Sequence, residues 1–344
     1  MMMPRPTIRD LAEAAGVSIS TVNRVLAGAE NVREATMREI RDTAERIGFY
    51  GLGSIQSNVA ARRVRRRFGF LLLQPTRSFY RNLAAAFEAA AQHVDGHDID
   101  LTVEFAPDLA PETIALRLRA LGQSCDAVGV VAPVHPLVAA AVDELELQGV
   151  PVFALISQIS PRGQVRYLGL DNWKVGRTAA WAISHICKAP GKVALLVGSH
   201  RFRCQEMNES GFRSYFREHS PGFTVLEAVS TFESSSVSQE VMEKMLQEHP
   251  DLTALYVAGG GITGVLAALR NTGTAGKVVT IAHDLMDVTR TGLLDHSVSL
   301  VISHPVERLA HDAIFNMIRA SSAPGDASNQ TSILPFEIFT SENI

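Results

Sequence analysis

Two constellations in this 344-residue chain carry recognisable chemistry. In L-Y-V-A-G-G-G-I-T-G-V-L, Gly259, Gly261 and Gly264 stand as G-x-G-x-x-G after a strand-like run and at the opening of a helical one, and Asp284 follows about 20 residues later. That pattern suits NAD(H): the glycines admit a pyrophosphate to the backbone and the acid holds a ribose hydroxyl. The competing reading is that the glycines only let a ligand or neighbouring segment lie close to the backbone, and the motif's late place in the chain favours it. The second constellation is Arg62, Arg63, Arg65, Arg66 and Arg67, five guanidiniums in six residues, which suits the phosphates of a polyanion. Hydrolytic and metal chemistry lack their residues. His185, His200 and His283 are scattered without HExxH spacing, no G-x-S-x-G occurs, and Cys125, Cys187 and Cys204 form no CxxC pair and read as small buried apolar residues. The expectation is a non-enzyme with no catalytic residue, no metal and no cofactor.

The charge is divided along the chain. Residues 1–67 hold 12 Arg against 7 acids, net +5, while the remainder holds 20 Lys or Arg against 29 acids, net −9. One end suits a polyanion and the rest does not. At 46% hydrophobic and 20% charged, the chain has room for two or three domains with cores. Its longest apolar runs are strand-length, against the ~20 residues of a membrane span, and its N-terminus lacks the apolar stretch of a signal peptide, so a cytoplasmic protein without membrane contact is expected.

The elements at the basic end follow from periodicity. Ile8, Leu11, Ala12 and Ala15 recur at helical spacing behind Thr7, which has Asp10 as a capping-box partner. Gly16 permits a turn, Ser18 caps a second helix, and Val17, Val22, Val25 and Leu26 give that helix its inner face. A third helix fits 33–47, with Met37, Ile40, Ala44 and Ile47 inward. Such a helix-turn-helix points Ile19, Ser20, Thr21 and Arg24 outward, where they would meet base edges in a major groove.

T-I-R-D-L-A-E-A-A-G-V-S-I-S-T-V-N-R-V-L, with the continuation N-V-R-E-A-T-M-R-E-I ending at G-F-Y, closely resembles the N-terminal signature of the lactose-repressor (LacI/GalR) family. The resemblance implies that Thr7 and Thr36 position phosphates, that Ile19, Ser20 and Arg24 read bases, and that Ser18 and Asn31 belong to the DNA-binding set. Asn23 stands where the family usually has Ser and can still donate to a phosphate. The family also has a short hinge helix that orders on DNA and inserts a Leu into the minor groove. Asn58, Ala61 and Val64 resemble its N-x-x-A-x-x-L spacing, with Val64 as the wedge; the alternative is a basic linker that only neutralises phosphates.

Beyond residue 67 the chain alternates strands, expected at 68–73, 101–105, 127–131, 152–155, 193–197, 224–228, 254–257, 278–282, 299–303 and 333–339, with helices. That implies α/β architecture with two doubly wound parallel sheets and a ligand in the cleft between the lobes. The expected domains are 1–50 for DNA, 51–67 as hinge and 68–344 for effector binding and dimerisation. Within the last, one lobe takes about 68–168 and 304–330 and the other about 173–300 and 332–344.

This region resembles the family's sensor and the ribose-type periplasmic sugar-binding proteins. The resemblance implies that Phe79 and Tyr80 stack on a sugar, that Asp284 binds its hydroxyls, and that His304 stands where a polar residue opens the last crossover. Asp171 and Asn172 match the family's D-N, with capping of the next helix as the rival role for Asp171. Three positions depart from the family: Asn208 replaces an Arg, Ile156 an Asp, and Gly259 and Gly260 an Asn-Asp. Asn208, Ser157 and Gln74 are the expected replacements. Taken together, the resemblance implies a homodimeric repressor on a pseudo-palindromic operator, controlled by a carbohydrate or polyol effector; the alternative is an NAD(H)-sensing redox repressor. No apolar heptad tail for tetramer formation follows the last strand.

Overall fold

The computed structural model describes residues 5–29, 31–61, 63–163, 165–322 and 331–344, and for residues 59–61 the backbone alone. The chain divides into two compact units, residues 1–66 with 92–100 and residues 67–91 with 101–344.

The first unit opens on α1 (Ile8–Ala14). The Thr7 hydroxyl accepts the Asp10 N–H, and the Asp10 carboxylate accepts the Thr7 N–H at 2.8 Å, the capping box the sequence implies. Those Thr7 contacts hold the Asp10 carboxyl below its ordinary pKa. Helix α2 (Ile19–Leu26) starts at Ser18, whose hydroxyl accepts the Thr21 N–H at 3.2 Å. Helix α3 (Glu34–Ile47) ends at Gly48, whose φ of 67° closes it in the left-handed conformation. A fourth helix, α4 (Leu52–Ala61), fills most of the stretch expected as hinge. Leu11, Val22, Ile40, Ala44 and Ile55 are fully buried in one apolar cluster with Met37 and Phe49.

The second unit contains two sheets. Strands β1 (Val64–Leu73), β2 (His97–Ala106), β3 (Ala127–Val130), β4 (Val152–Leu155) and β5 (Arg166–Leu170) alternate with α5 (Ser78–Gln92), α6 (Pro111–Ser124) and α7 (Pro136–Leu147). After α8 (Asn172–Ile186) come β6 (Lys192–Val197), α9 (Arg203–His219), β7 (Thr224–Val225), β8 (Val229–Ser230), α10 (Ser235–Glu248), β9 (Leu252–Val257), α11 (Ile262–Asn271), β10 (Val279–His283), α12 (Asp287–Leu294) and β11 (Leu300–Ser303). The chain closes with α13 (Val306–Ser322), β12 (Thr331–Leu334) and β13 (Glu337–Phe339). The first sheet runs β12-β5-β4-β3-β1-β2 and the second β13-β11-β10-β9-β6-β7, with β8 also on β6. Each described pairing is parallel except β11 with β13. Central strands such as A-V-G-V and V-F-A-L are apolar throughout because helices cover both faces.

Four details differ from the sequence expectation. Strand β1 begins at Val64, four residues early, because its exposed arginines continue an extended backbone. Strand β5 carries too few apolar letters to announce itself. The run 224–228 breaks into β7 and β8, which pair with different parts of β6. The run 333–339 is two strands in two sheets, parted at Pro335, which has no N–H for a ladder. Residues 331–334 therefore add to the first sheet instead of joining the second lobe from 332 onward.

Candidate reading face and effector cleft

On α2, positions 19, 20, 23 and 24 share one exposed face, and Ile19 is 48% exposed although apolar. At its start the Ser18 hydroxyl lies 2.8 Å from those of both Ser20 and Thr21, a cluster of hydroxyls at a helix N-terminus. Thr7 caps α1, Thr36 is half-buried in the first turn of α3, and Asn31 is exposed before it. Arg5, Arg9 and Tyr50 join Thr7, Ile19 and Asn23 around one shallow groove. Arg5, Arg9 and Tyr50 were missed from the sequence, although two arginines flanking the Thr7 cap and the tyrosine that closes G-F-Y were the available signal.

The expected hinge trio is not brought together. The Asn58 side-chain amide donates to the Val25 and Leu26 carbonyls at 3.0 Å each. Ala61 ends α4, its side chain lying outside the described residues, and Val64 opens a strand, its N–H donating to the Gly96 carbonyl at 2.9 Å. The helix has ended before position 64, so the N-x-x-A-x-x-L face is not formed. In the basic run, Arg65 pairs with Asp100 at 2.9 Å and Arg67 with Asp126 at 3.1 Å; Arg62 lies outside the described residues.

In the second unit, polar side chains converge at the carboxyl ends of strands from both sheets, around a cavity of about 80 Å³. Phe79 and Tyr80, on the first turn of α5, and His304, after β11, line it together with Asn208 of α9 and Asp284 after β10. Asp284 Oδ1 accepts the His304 N–H at 3.0 Å and lies 2.8 Å from His304 Nδ1. Burial alone would push the Asp284 carboxyl up; the His304 ring outweighs that and holds it below the ordinary carboxylate value. Phe79 and His304 stand with ring centroids 5.7 Å apart. Burial also pushes the neighbouring His283 imidazole down to about 4, with its Nε2 2.7 Å from the Tyr256 hydroxyl.

Two buried polar atoms in this lining lack a hydrogen-bond partner among the described residues: His304 Nε2 and Asn208 Oδ1, on residues 6% and 2% exposed. Five non-glycine residues that follow strands take positive φ: Gln74 at 38°, Ile156 at 65°, Phe232 at 51°, Glu233 at 60° and Asp284 at 61°. Such conformations cost about 1 to 3 kcal/mol each and concentrate where a binding geometry requires them.

The sequence missed the strongest interaction here. Arg77, from the loop after β1, forms an ion pair with Glu233, from the loop after β8, so that it bridges the two lobes. The Gln205 amide donates to the other Glu233 oxygen at 2.7 Å, while its own oxygen accepts the N–H groups of Gly198 and Ser199. Arg77 also lies over the Tyr80 ring. Gly260 makes room for this pair, since a Cβ there would stand 1.8 Å from Glu233 Oε2 and 2.4 Å from Arg77. Gly264 meets the carbonyl of Ser235 in the same way, at 1.8 Å, where α11 crosses α10. The glycine motif is thus packed against protein, and its proposed ribose acid is engaged by His304; the dinucleotide reading is not supported. Gln74 and Ser157 also fall elsewhere than expected. Gln74 borders Arg77 on an adjoining groove, and Ser157 accepts the Cys204 N–H at 3.3 Å across the lobes. Asp171 caps α8 by accepting the Lys174 N–H at 3.2 Å, while Asn172 lines the cavity. Among the described residues no cluster could hold a metal ion, and no helix is long and apolar enough to cross a membrane.

A helix-turn-helix unit and two parallel-sheet lobes enclosing a polar cleft define a DNA-binding regulator with a small-molecule sensor. Residues 7–51 match the bacterial regulatory proteins of the lacI family, and residues 68–323 match a periplasmic binding protein domain. The HTH-type transcriptional regulator GalS of Salmonella typhimurium is 24% identical over 274 residues, covering 78% of this chain and 76% of its own. Catabolite control protein A of Priestia megaterium is 24% identical over 255 residues, covering 73% of each chain. An ABC transporter solute-binding protein from Agrobacterium vitis, solved with α-D-tagatopyranose, shares the fold at a TM-score of 0.74 and 19% identity over 81% of this chain and 95% of that one. The chain belongs to the lacI family of bacterial regulatory proteins, with a periplasmic binding protein domain as its sensor.

Proposed function

We propose that this regulator is a cytoplasmic repressor of a carbohydrate or polyol catabolic operon, binding a pseudo-palindromic operator as a C2 homodimer and releasing or gaining it when a sugar-like effector enters the cleft. Domain limits of about 1–50 for reading DNA and 68–344 for sensing and dimerisation go with this reading. One observation carries the effector class: two unpartnered buried polar atoms, His304 Nε2 and Asn208 Oδ1, face a cavity that also offers the Asp284 carboxylate and the Phe79 ring. A hydroxylated ring satisfies each of these, donating to Asp284 and Asn208 and laying an apolar face on Phe79.

In the reader, Ile19, Ser20, Thr21 and Arg24 meet base edges, while Thr7, Ser18, Asn23, Asn31 and Thr36 place the unit on phosphates. Because one such unit reads few base pairs, two copies are needed for specificity. Effector occupancy alters the angle between the lobes; a coupling of ~1 to 3 kcal/mol suffices for a 5- to 150-fold change in operator affinity. No step in this reading makes or breaks a covalent bond. The relatives named as an HTH-type transcriptional regulator and a catabolite control protein support the regulator reading, and the tagatose-bound fold neighbour supports the sugar class.

A thermal-shift screen with D-tagatose, D-arabinose, D-galactose, xylitol and NADH tests the effector class, since a ligand of the folded sensor raises its melting temperature. A rise with a sugar or polyol is expected. A rise with NADH alone would sink the sugar reading.

A further inference from the structure

We infer that the effector carries a carbon without a hydroxyl, as a 6-deoxy sugar does, and that Ile156 selects for it; this rests on the sugar-binding reading of the cleft. Strands β3 and β4 run side by side in parallel register through Val130 and Ala154, and beyond their ends Val131 and Ile156 line the cavity. Phe202, which precedes α9, adds a third buried apolar side chain to the lining. Its segment is held to this edge at two points. The Arg201 carbonyl accepts the Val134 N–H at 2.7 Å, and the Cys204 N–H donates to the Ser157 hydroxyl at 3.3 Å.

Ile156 has nothing to offer a hydroxyl. Its N–H donates to the Leu168 carbonyl at 2.9 Å and its carbonyl accepts the Tyr167 hydroxyl at 3.1 Å, so hydrocarbon alone is left for the cavity. Asn172, which also lines the cavity, commits its amide N–H groups to the Tyr167 hydroxyl and the Leu170 carbonyl at 3.2 Å each. The φ of 65° at Ile156 strains a β-branched side chain, where asparagine would be accommodated. Strain of that kind gathers at binding sites. The groups that can hold hydroxyls, Asn208 on α9, Asp284 after β10 and His304 after β11, come from the second lobe. A hydroxyl laid against Val131 and Ile156 loses its water and gains no partner, whereas a methyl group there gains by leaving water.

Calorimetric titration of the full chain with matched sugars decides this: D-fucose against D-galactose, L-fucose against L-galactose, and L-rhamnose against L-mannose, the first of each pair lacking only the 6-hydroxyl. At least one pair should bind, its deoxy member about 10- to 100-fold more tightly than its partner. Ile156→Asn relieves the backbone strain and supplies a polar partner, so it should abolish or reverse that preference while the melting temperature is kept. Three results would each overturn the inference and leave the sugar reading standing: a hydroxylated member that binds as tightly as its deoxy partner, binding of D-tagatose, D-arabinose or xylitol with no pair binding, or a preference unaltered in Ile156→Asn. Should that variant fail to fold, the wild-type pairs still decide the ligand class. A wild-type chain that binds no sugar or polyol would refute the sugar reading, and the inference with it.

Discussion

The reading face and the effector cleft use polar side chains in opposite ways. On α2 the functional groups stand in solvent above a fully apolar core, and Ser20, Asn23 and Arg24 are exposed while Val22 and Val25 beneath them are 0% and 1% exposed. In the cleft the functional groups are the interior. Glu233 is held by Arg77 and Asp284 by His304, each across segments distant in sequence, and Asn208 is 2% exposed. A side chain on the first surface can be removed without loosening the fold beneath it. In the second, binding and stability share the same atoms, because a buried charge left without its partner is costly.

The largest test of that contrast is Glu233→Ala. It leaves Arg77 without its carboxylate and Gln205 without its acceptor, so we expect a loss of about 3 to 5 kcal/mol, read by denaturant unfolding, together with loss of any sugar-induced thermal shift. A variant that binds effector normally would place the anchor elsewhere. The cleft is also expected to be sensitive to acid. His283 is neutral when folded down to about pH 4, whereas an unfolded histidine takes its proton near 6.5, so the unfolded state holds more protons between those values. Stability should therefore be full above pH 6.5 and fall as pH drops toward 4, by up to about 1.4 kcal/mol per unit. His283→Gln should flatten that slope, measured as the denaturation midpoint against pH.

The reading face should behave otherwise. Arg24→Ala is expected to cost about 1 to 3 kcal/mol of operator binding, measured by anisotropy, with the melting temperature of the protein unaltered. If it lowers both together, the face is not independent of the fold. Thr7→Ala has the smallest expected effect, about 1 kcal/mol of stability of the first unit from loss of the capping box, seen in its thermal unfolding.

The same contrast explains how much was legible in the sequence. Thr7 with Asp10, Ser18 with Thr21, and the apolar stripes of α1 to α3 act over three or four residues, so their spacing announced both the elements and the exposed face of α2. In the cleft, Asp284, His304, Phe79 and Asn208 could be named because they follow strands at positions that the resemblance singles out. Arg77 and Glu233 could not, since they meet across 156 residues and Glu233 follows a strand of only two. Gly259 and Gly260, which read as lost anchors, are instead the space that the Arg77 and Glu233 pair and Gln205 occupy. The packing of α4 stayed hidden for a related reason. Its core residue Ile55 lies among glycines and serines, and the spacing of Asn58, Ala61 and Val64 suggested a helix face that ends before its third member.

The most direct test of the whole account is an operator-binding titration by fluorescence anisotropy, run with and without each of D-tagatose, D-arabinose, D-galactose, xylitol and NADH, on the wild-type chain and on Glu233→Ala. A sugar or polyol is expected to shift the wild-type operator Kd by about 5- to 150-fold and to leave that of Glu233→Ala in place. Wild-type operator affinity that ignores every sugar and polyol and responds to NADH would contradict it.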